Sequence, residues 1–434
     1  MSGYQPYPEY KDSGVEWFGE VPAHWKIVPL YGITSSNPDT LPDSIKNSDG
    51  FFEYIDISAV DHVSGISDGE KVAFSNAPSR ARRLAKAGNV VVSTVRTYLK
   101  AVAEVLPEKS GCVFSTGFAV LRPSDKLSPG ALKWLMLNDL LIQSIEAHSE
   151  GLSYPAINTS SLLRLPVALP TQGEQKQIAT FLDRETNRID KLIEKKQRFV
   201  ELLQEKRQAV ITQAVTKGLD PNVPLKDSGV KAIGKVPRHW EILPLRTVMR
   251  KKKSLVGSSW PDYKLLSLTK RGVIERDVSE NFGKFPESFE TYQFVAPNDL
   301  VMCLFDIDET PRTVGLSDEV GMITGAYSLF VIERAVMRHY LYYLFLHLDQ
   351  VKGLRPYYSG LRKTIRPANL LRIRIPIPPE EEAARIVNHI KASQYRFDTL
   401  IVKTRESLDL LKERRSALIT AAVTGKIDVR SETT

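Results

Sequence analysis

The feature that most constrains this chain is a twenty-residue stretch that occurs twice. It reads "KDSGVEWFGEVPAHWKIVPL" from Lys11 and "KDSGVKAIGKVPRHWEILPL" from Lys226. Counted from Tyr10, 13 of 21 positions are identical. Repetition on this scale marks a duplicated structural unit, so we expect two halves that share a common frame.

Two further pairs of segments follow in the same order in each half. The stretch "EQKQIATFLDRETNRIDKLIEKKQRFVELLQEKRQAVITQAVTKGLD" from Glu174 matches "EAARIVNHIKASQYRFDTLIVKTRESLDLLKERRSALITAAVTGKID" from Glu382, at an offset of 208. A weaker pair lies mid-half, where "GNVVVSTVRTYLKAVAEVL" resembles "NDLVMCLFDIDETPRTVGLS". Each half therefore contains the repeated N-terminal segment, a variable body and a long charged segment.

The composition predicts a globular chain that binds a polyanion. With 434 residues, 42% of them hydrophobic, the chain can form more than one core. No apolar run reaches the roughly 18 residues of a membrane span, and the start lacks a secretion signal, so we expect no membrane association and a cytoplasmic location. Its two cysteines, Cys112 and Cys303, predict neither a disulfide framework nor a metal site. A net charge of +8 favours an anionic partner.

The two long charged segments are predicted helices. Pro and Gly are absent from 174–217 and from 381–424, and a helix-ending glycine follows each run, at Gly218 and Gly425. About 43 residues at about 1.5 Å each give roughly 65 Å. Apolar residues on a 4-3 spacing predict that the helices pair as an antiparallel coiled coil. The predicted seam consists of Ile178, Leu182, Ile189, Leu192, Phe199, Leu203 and Val210 in the first helix and Ile386, Ile390, Phe397, Leu400, Leu411 and Leu418 in the second. The alternative, two amphipathic helices lying on a globular core, is disfavoured by the duplication.

The bodies, residues 26–170 and 241–378, mix short strand-like runs with a helix each. We expect one strand in "CVFSTGFAVL" and one helix in "SPGALKWLMLNDLLIQSIEAH", capped by Ser128. The fold class is therefore mixed α/β with mainly non-parallel sheets and an internal pseudo-twofold repeat. The predicted segments are 1–25 (N-terminal segment), 26–170 (first body), 171–217 (helix), 218–240 (linker and repeated segment), 241–378 (second body), 379–426 (helix) and 427–434 (tail).

Several predicted loops carry cations beside hydroxyl and tyrosine side chains, a combination suited to phosphates and base edges. A single cluster of this kind is more often a solvated surface, but the clusters recur in both bodies. The candidate DNA-binding residues of the first body are Arg80, Arg82, Arg83, Arg96, Thr97, Tyr98, Lys100, Ser115 and Thr116. Those of the second body are Lys270, Arg271, Arg312, Tyr357, Tyr358, Arg362 and Lys363.

No motif in the sequence indicates an active site. The phosphate-binding "GxxxxGK[ST]" loop and the "HExxH" zinc motif are absent. His24 and His239 each precede a tryptophan in the repeated "VPxHW" turn, where a structural role, with Trp25 and Trp240 filling the edge of a core, is favoured over catalysis.

The motifs "KDSGVxxxGxVPxHW", "GNVVVSTVRTYLK...STGFAVLRP" and "LRLPVALPTQGEQKQIATFLD" resemble those of the specificity subunit of type I restriction-modification systems, over essentially the whole chain. The resemblance implies two target-recognition domains, each reading half of a split site in double-stranded DNA, with the helices as spacer. It also implies two methyltransferase subunits that supply S-adenosylmethionine chemistry, and a restriction subunit that uses ATP and Mg²⁺. The chain itself would bind no cofactor. Because the bodies differ, we expect an asymmetric target.

Two other functions remain open on the residues alone. One is a self-contained site-specific DNA endonuclease with a cryptic metal site. The other is a coiled-coil adaptor whose bodies bind proteins.

Overall fold

The computed structural model describes residues 4–42, 44, 49–151, 153–276 and 288–433. The chain divides into two compact units, Met1–Gln197 with Glu406–Thr434, and Arg198–Arg405. Each unit holds one body together with one half of each long helix. The division therefore falls inside both helices, whereas the segment boundaries expected from the sequence fall at the helix ends and stay predictions.

The N-terminal part of the chain contains fifteen strands among its described residues and then the first long helix. The strands are β1 (Tyr10–Asp12), β2 (Glu20–Pro22), β3 (Lys26–Pro29), β4 (Thr34–Ser36), β5 (Asp39–Thr40), β6 (Phe51–Ile55), β7 (Val60–Asp61), β8 (Gly65–Ile66), β9 (Glu70–Ala73), β10 (Ala81–Leu84), β11 (Val90–Ser93), β12 (Val102–Glu104), β13 (Val113–Ser115), β14 (Phe118–Pro123) and β15 (Pro166–Leu169). The helices are α1 (Pro129–Met136), α2 (Asp139–Ala147), α3 (Thr159–Arg164) and α4 (Gln172–Lys217).

The C-terminal part repeats this plan with fewer strands. Its described strands are β16 (Leu225–Asp227), β17 (Lys235–Pro237), β18 (Glu241–Pro244), β19 (Arg250–Lys251), β20 (Leu266–Thr269), β21 (Gly272–Glu275), β22 (Gln293–Val295), β23 (Leu300–Met302), β24 (Val314–Leu316), β25 (Gly321–Ile323), β26 (Ser328–Val331) and β27 (Arg374–Ile377). The helices are α5 (Ala335–Gln350), α6 (Pro367–Leu370) and α7 (Glu380–Val423).

Each body contains a four-stranded sheet with the same strand order, and the two bodies differ in the strands around that sheet. The first has an antiparallel sheet of order β12-β11-β14-β4, and the second has the equivalent order β24-β23-β26-β19. The first body adds a five-stranded sheet, β5-β10-β13-β6-β9, in which β13 and β6 are parallel and the other pairs antiparallel. The second body has two strand pairs instead, β20-β21 and β22-β25. The expectation of mixed α/β bodies with mainly non-parallel sheets is confirmed.

Each body is closed at its base by the strands that flank it. β3 pairs with β15 in the first body, and β18 pairs with β27 in the second. In each pair the first strand, β3 or β18, directly follows the repeated tryptophan. Two residues separate the second strand, β15 or β27, from the start of the long helix. Strand pairing therefore brings the two ends of each body together beside the start of a helix.

The long helices begin and end nearly where the sequence predicts, and two helix ends have clear local causes. Thr171 and Glu174 form a reciprocal capping box, since the Thr171 amide donates to Glu174 Oε2 at 3.1 Å and the Glu174 amide donates to Thr171 Oγ1 at 3.4 Å. Gly218 and Gly425, which follow the two helices, adopt φ of +73° and +72°. This left-handed conformation favours glycine and ends a helix.

The helices pair in opposite directions. In the first unit the N-terminal half of α4 meets the C-terminal half of α7, where Arg415 Nε donates to Asp190 Oδ1 at 2.9 Å. In the second unit the C-terminal half of α4 meets the N-terminal half of α7, where Arg207 lies 3.3 Å from Asp398. Asp190 and Asp398 are equivalent in the repeat, as are Arg207 and Arg415. The same ion pair is therefore formed once in each unit, as a pseudo-twofold repeat requires.

The buried stripe differs from the predicted seam near the middle of each helix. Leu192, Phe199 and Leu400 are 43%, 44% and 44% exposed, so their placement in the seam is wrong. After Ile189 the next inward residue is Ile193, four positions later rather than three. The equivalent position in α7 is Ile401, which is buried. A stripe that advances four residues here places the predicted leucines on the outer face.

The other predicted seam positions lie inward to differing degrees. Buried positions are Ile178, Leu182, Ile189, Leu203, Ile386, Ile390 and Leu418. Half-buried positions are Val210, Phe397 and Leu411.

The repeated "VPxHW" turn holds the ends of two helices in each unit. In the first unit Trp25 is fully buried and its Nε1 donates to Glu174 Oε1, at the start of α4, at 3.3 Å. His24 Nε2 shares the same oxygen at 2.8 Å. A Cβ added to Gly425, just after α7, would lie 3.2 Å from the Trp25 ring, so the end of α7 packs against the same side chain.

The second unit repeats this clamp. His239 Nε2 lies 2.6 Å from Glu382 Oε2, at the start of α7. The Trp240 ring is fully buried and would lie 3.5 Å from a Cβ on Gly218, just after α4. Both tryptophans thus fill core positions, as the sequence predicts. Trp240 differs in having no hydrogen-bond partner for its indole nitrogen among the described residues.

Two predicted elements are each split in the structure. The stretch expected to form one strand folds as β13 and β14 in different sheets, separated by a turn at Thr116 and Gly117. The stretch expected to form one helix is interrupted after Met136, where Asn138 caps α2 by accepting from the Leu140 amide at 3.2 Å. The predicted Ser128 cap is confirmed, because its hydroxyl accepts from the Ala131 amide at 3.3 Å. No helix within the described ranges is long and apolar enough to cross a membrane.

Replacing Glu174 with Ala should lower the free energy of unfolding by about 2 kcal/mol, because the buried Trp25 indole and the more exposed donors of His24 and Thr171 lose their acceptor. Burial alone would raise the pKa of Glu174, but the hydrogen bonds from Thr171, His24 and Trp25 outweigh it and hold that pKa below its usual 4.5. A depressed folded pKa stabilises the fold above the unfolded pKa. The wild type's advantage over Glu174→Gln should therefore shrink as the pH falls below 4.5, as measured by urea denaturation. Lys176→Ala, on the exposed face of the same turn, should change little.

Candidate nucleic-acid interface

The clearest candidate surface of the first body is the turn that follows β11. Arg96 and Lys100 flank a short helical turn, Thr97–Leu99, and both adopt the left-handed conformation, with φ of +51° and +52°. Non-glycine residues in this region cost free energy and often mark functional loops. The turn therefore holds its side chains in a conformation that the local sequence alone does not favour.

A second loop lies against this turn and adds an aromatic side chain. The Arg96 amide donates to the Pro155 carbonyl at 2.7 Å, and the Arg96 guanidinium lies 5.1 Å from the centre of the Tyr154 ring. Tyr98 and Tyr154 are both exposed. A cation stacked on an exposed aromatic ring can contact a phosphate while the ring contacts a sugar or a base. Tyr154 was missed by the sequence analysis, because only the fold brings it beside Arg96.

The predicted arginine cluster of the same body lies around β10. Arg80 is exposed, and its carbonyl accepts from the amide of Thr116, which is also exposed. Arg82 and Arg83 are half-buried, and the Arg82 Nε donates to the Ser79 carbonyl at 3.4 Å. The structure therefore brings Arg80 and Thr116 together.

Two of the predicted contact residues are buried, so they do not lie on the surface as the sequence analysis expected. Thr97 is buried and its hydroxyl donates to Ser149 Oγ at 2.8 Å. Ser115 is buried and its hydroxyl accepts from the Gly117 amide at 3.2 Å. Thr97 begins the short helical turn after β11 and Ser115 ends β13, and both hydroxyls form hydrogen bonds inside the body rather than at its surface.

In the second body one group of predicted residues meets at the β20–β21 hairpin. Lys270 and Arg271 form its two-residue connection and both are exposed. Arg312 donates from Nη2 to the Lys270 carbonyl at 3.3 Å, which places a third cation beside the turn. The three cations, distant in sequence, therefore share one surface.

A second group lies around the carboxylate of Asp308. Arg355 Nε donates to Asp308 at 2.8 Å, and Lys363 Nζ lies 3.3 Å from it. Hydrogen bonding from Arg355 holds the pKa of Asp308 below its usual range, although desolvation opposes it and Lys363 adds to it. Burial, together with the charge of Asp308, raises the pKa of Tyr358 to about 12, so this phenol keeps its proton and can donate. Lys363 is therefore partly neutralised, whereas Arg362 is exposed and, within the described ranges, forms no ion pair.

The turns after β11 and after β23 are equivalent and differ in charge. Asp306 occupies the position of Arg96, 210 residues later, and has φ of +45°. Its amide donates to the Arg362 carbonyl at 3.0 Å, just as the Arg96 amide donates to Pro155. The positive φ and the amide hydrogen bond are thus the same in both turns, while the side chain is a cation in one and a carboxylate in the other. Sequence alone aligned these segments only weakly and did not single out Asp306.

Chemistry-bearing clusters are otherwise sparse in the described part of the chain. No group of three or more His, Cys, Asp or Glu side chains there could hold a metal ion. Burial and a hydrogen bond to Glu53 raise the pKa of Cys112 to about 12.

Comparison with known proteins finds one family model and two curated relatives that this chain resembles. Residues 22–202 match the model of the type I restriction modification DNA specificity domain. The chain is 25% identical over 327 residues to a putative type I restriction enzyme MjaX specificity subunit of Methanocaldococcus jannaschii, which covers 72% of this chain and 71% of the relative. It is 24% identical over 307 residues to the type I restriction enzyme MjaVIII specificity subunit of the same organism, covering 66% and 68%.

Solved structures agree in fold. One chain, from a study of complex assembly and conformational transition of the type I R-M system, aligns with a TM-score of 0.71 over 94% of this chain and 99% of its own length, at 22% identity. The HsdS subunit from Thermoanaerobacter tengcongensis aligns with a TM-score of 0.54 over 94% and 98%, at 23% identity. The chain thus shares its fold with these two chains. The resemblance to type I restriction-modification specificity subunits is confirmed, and residues 22–202 match the DNA specificity domain model.

Replacing Arg96 with Ala should weaken DNA binding by about 1–3 kcal/mol at one half of a split site, because an exposed guanidinium suited to phosphate or a base edge is lost. The other half of the site should be protected as before. Footprinting of the assembled complex measures the protection of both half-sites in the same experiment. Lys71→Ala, an exposed cation stacked on Phe51 elsewhere in the same body, is the matched control. Equal loss at both half-sites would contradict this assignment.

Proposed function

We propose that this chain is the non-catalytic DNA-specificity subunit of a type I restriction-modification complex. In this proposal residues 26–170 and 241–378 each bind one half of an asymmetric, split site in double-stranded DNA. The helices α4 and α7 set the gap between the halves and hold the methyltransferase subunits. A restriction subunit completes the complex in the cytoplasm, and S-adenosylmethionine, ATP and Mg²⁺ act on those partners.

The observation that carries the proposal is a common frame around unlike loops. The clamp at the helix ends, the central sheet and the Asp–Arg pair between helices are formed in both units. The surface turns differ, with Arg96 in one body and Asp306 at the equivalent place in the other. An arginine suits guanine or phosphate, whereas a carboxylate accepts from cytosine N4. Two bodies built in this way support recognition of two different half-sites.

The spacing role is supported by helix geometry. α4 has 46 residues and α7 has 44, or about 65–70 Å at about 1.5 Å per residue. That is on the order of two turns of duplex DNA. Because the pair is antiparallel and its ion pairs repeat, a change of length in both helices at once would keep the two ends equivalent.

The docking role is supported by exposed leucines that obey the repeat. Leu192 and Leu400 are equivalent, and they are two of the three predicted seam residues that lie outside the buried stripe. Leu202 and Leu410 form a second equivalent pair, 46% and 64% exposed. The first unit thus presents Leu192 and Leu410, and the second presents Leu400 and Leu202. Duplicated apolar positions suit two copies of one partner, since each copy would meet the same set.

The spacer is tested by duplicating one heptad in each helix, residues 195–201 and 404–410, which keeps the 4-3 stripe and the register of the ion pairs. Methylated adenines are mapped genome-wide in cells that carry this chain and its methyltransferase. The wild type should give a split motif. The variant should give the same half-sites with a longer gap, by at most about three base pairs, because seven residues add about 10 Å. Altered half-sites, or an unchanged gap, would overturn the spacer role.

The docking surface is tested by placing carboxylates on it. Leu192→Asp with Leu410→Asp should remove one methyltransferase subunit, and adding Leu400→Asp and Leu202→Asp should remove the second, because each charge must be buried without a partner. Native mass spectrometry counts the subunits. Leu219→Asp, at an exposed leucine beyond the end of α4, is the control. Full occupancy in the four-site variant would exclude this face.

A further inference from the structure

The most exposed large apolar side chain among the described residues is Leu361. It is 104% exposed, more than in an extended reference peptide. It lies in the connection between α5 and α6, next to Arg362. Single exposed leucines are common on proteins, so exposure alone assigns nothing. What distinguishes this leucine is the loop that presents it.

The loop is held in one conformation by short-range hydrogen bonds. Ser359 and Thr364 form a two-way backbone bridge, with N···O distances of 3.0 and 3.1 Å. Gly360 and Lys363 have φ of +72° and +43°. A left-handed lysine costs free energy, and its ammonium is fixed by Asp308 at 3.3 Å. The backbone bridge and the Lys363–Asp308 ion pair therefore hold the loop in a conformation that exposes the leucine to solvent.

The surroundings indicate what the leucine meets. Arg362, the next residue, and Arg366, five positions after Leu361, are exposed and, within the described ranges, form no ion pair. Cations beside a projecting aliphatic tip suit a polyanion with an apolar interior, which is the chemistry of duplex nucleic acid: phosphates outside and stacked bases inside. The loop also lies against the turn after β23, because the Asp306 amide donates to the Arg362 carbonyl at 3.0 Å.

We propose that Leu361 is an apolar wedge that inserts between two base pairs of the half-site bound by residues 241–378 and partly unstacks that step. Arg362 contacts an adjacent phosphate and so sets the depth of insertion. This inference rests on the proposed DNA-specificity function and adds a positioning and specificity-determining residue to it. Gly151 and Leu152 repeat the Gly360–Leu361 dipeptide in the first half of the sequence, but Leu152 lies outside the described residues and the inference concerns Leu361 alone.

The experiment uses the full chain assembled with its methyltransferase subunits and a duplex carrying the mapped target. 2-Aminopurine replaces adenine at one position at a time in the half-site bound by the second body. Wild-type complex should raise the fluorescence at a single step, because unstacking relieves quenching. Leu361→Ala should abolish that rise and weaken binding about tenfold, the order of loss when an apolar contact to the bases is removed. Its salt dependence should not change, since no phosphate contact is lost.

Two variants separate the wedge from its surroundings. Arg362→Ala should keep the fluorescence rise at reduced affinity and lower the salt slope by about one. Leu255→Ala, at another exposed leucine of the same body, should behave as wild type. Unchanged affinity and fluorescence in Leu361→Ala would overturn the wedge and leave the proposed function intact, as would a matching loss in Leu255→Ala. Failure of the wild-type complex to bind its mapped target would overturn both.

Discussion

The structure depends on the joint between two helix ends and one buried tryptophan. In each unit the repeated turn places a glutamate from the start of one helix against a histidine, and a glycine from the end of the other helix against the tryptophan ring. Each unit thereby receives one helix start and one helix end, which fixes an antiparallel pair. The repeat explains why both copies keep Pro, His, Trp and the terminal glycine: a Cβ on Gly425 would meet Pro22 at 2.3 Å, so no larger residue fits.

Beyond this joint, each body is an insertion between two paired strands. β3 with β15, and β18 with β27, close the base, and everything between them can change without moving the helix starts. The five-stranded sheet of the first body and the strand pairs of the second are such changes. A frame of this kind separates two demands: the helices and clamps must remain compatible with one another, whereas the inserted loops need only remain folded.

The frame was largely predictable from the sequence, and the surface only in part. Helix limits, glycine stops, the tryptophan core and the strand-rich bodies follow from periodicity and turn chemistry, which are local. The middle of the seam was misplaced because Leu192 and Leu400 satisfy an apolar spacing as well as Ile193 and Ile401 do, and only packing against the partner helix distinguishes them. Thr97 and Ser115 were chosen by residue type, but both are buried and their hydroxyls bond to Ser149 and to the Gly117 amide. Tyr154, Arg355 and Asp306 join the surface through tertiary contacts that no sequence window contains.

The equivalent positions of Arg96 and Asp306 show how such a frame can change its specificity. In both bodies a residue with positive φ donates its backbone amide to the neighbouring loop. The backbone of this turn is therefore fixed by hydrogen bonds that do not involve the side chain. The cost of the positive φ is met by the fold, and it is lower for an aspartate than for a β-branched residue. Exchanging the side chain therefore alters charge and hydrogen-bonding capacity at one place on the surface while the distance to the helix ends stays the same. An arginine and an aspartate suit opposite kinds of base edge, since one donates hydrogen bonds and the other accepts them. Divergence at such positions therefore makes two duplicated halves chemically unlike while their backbones stay alike.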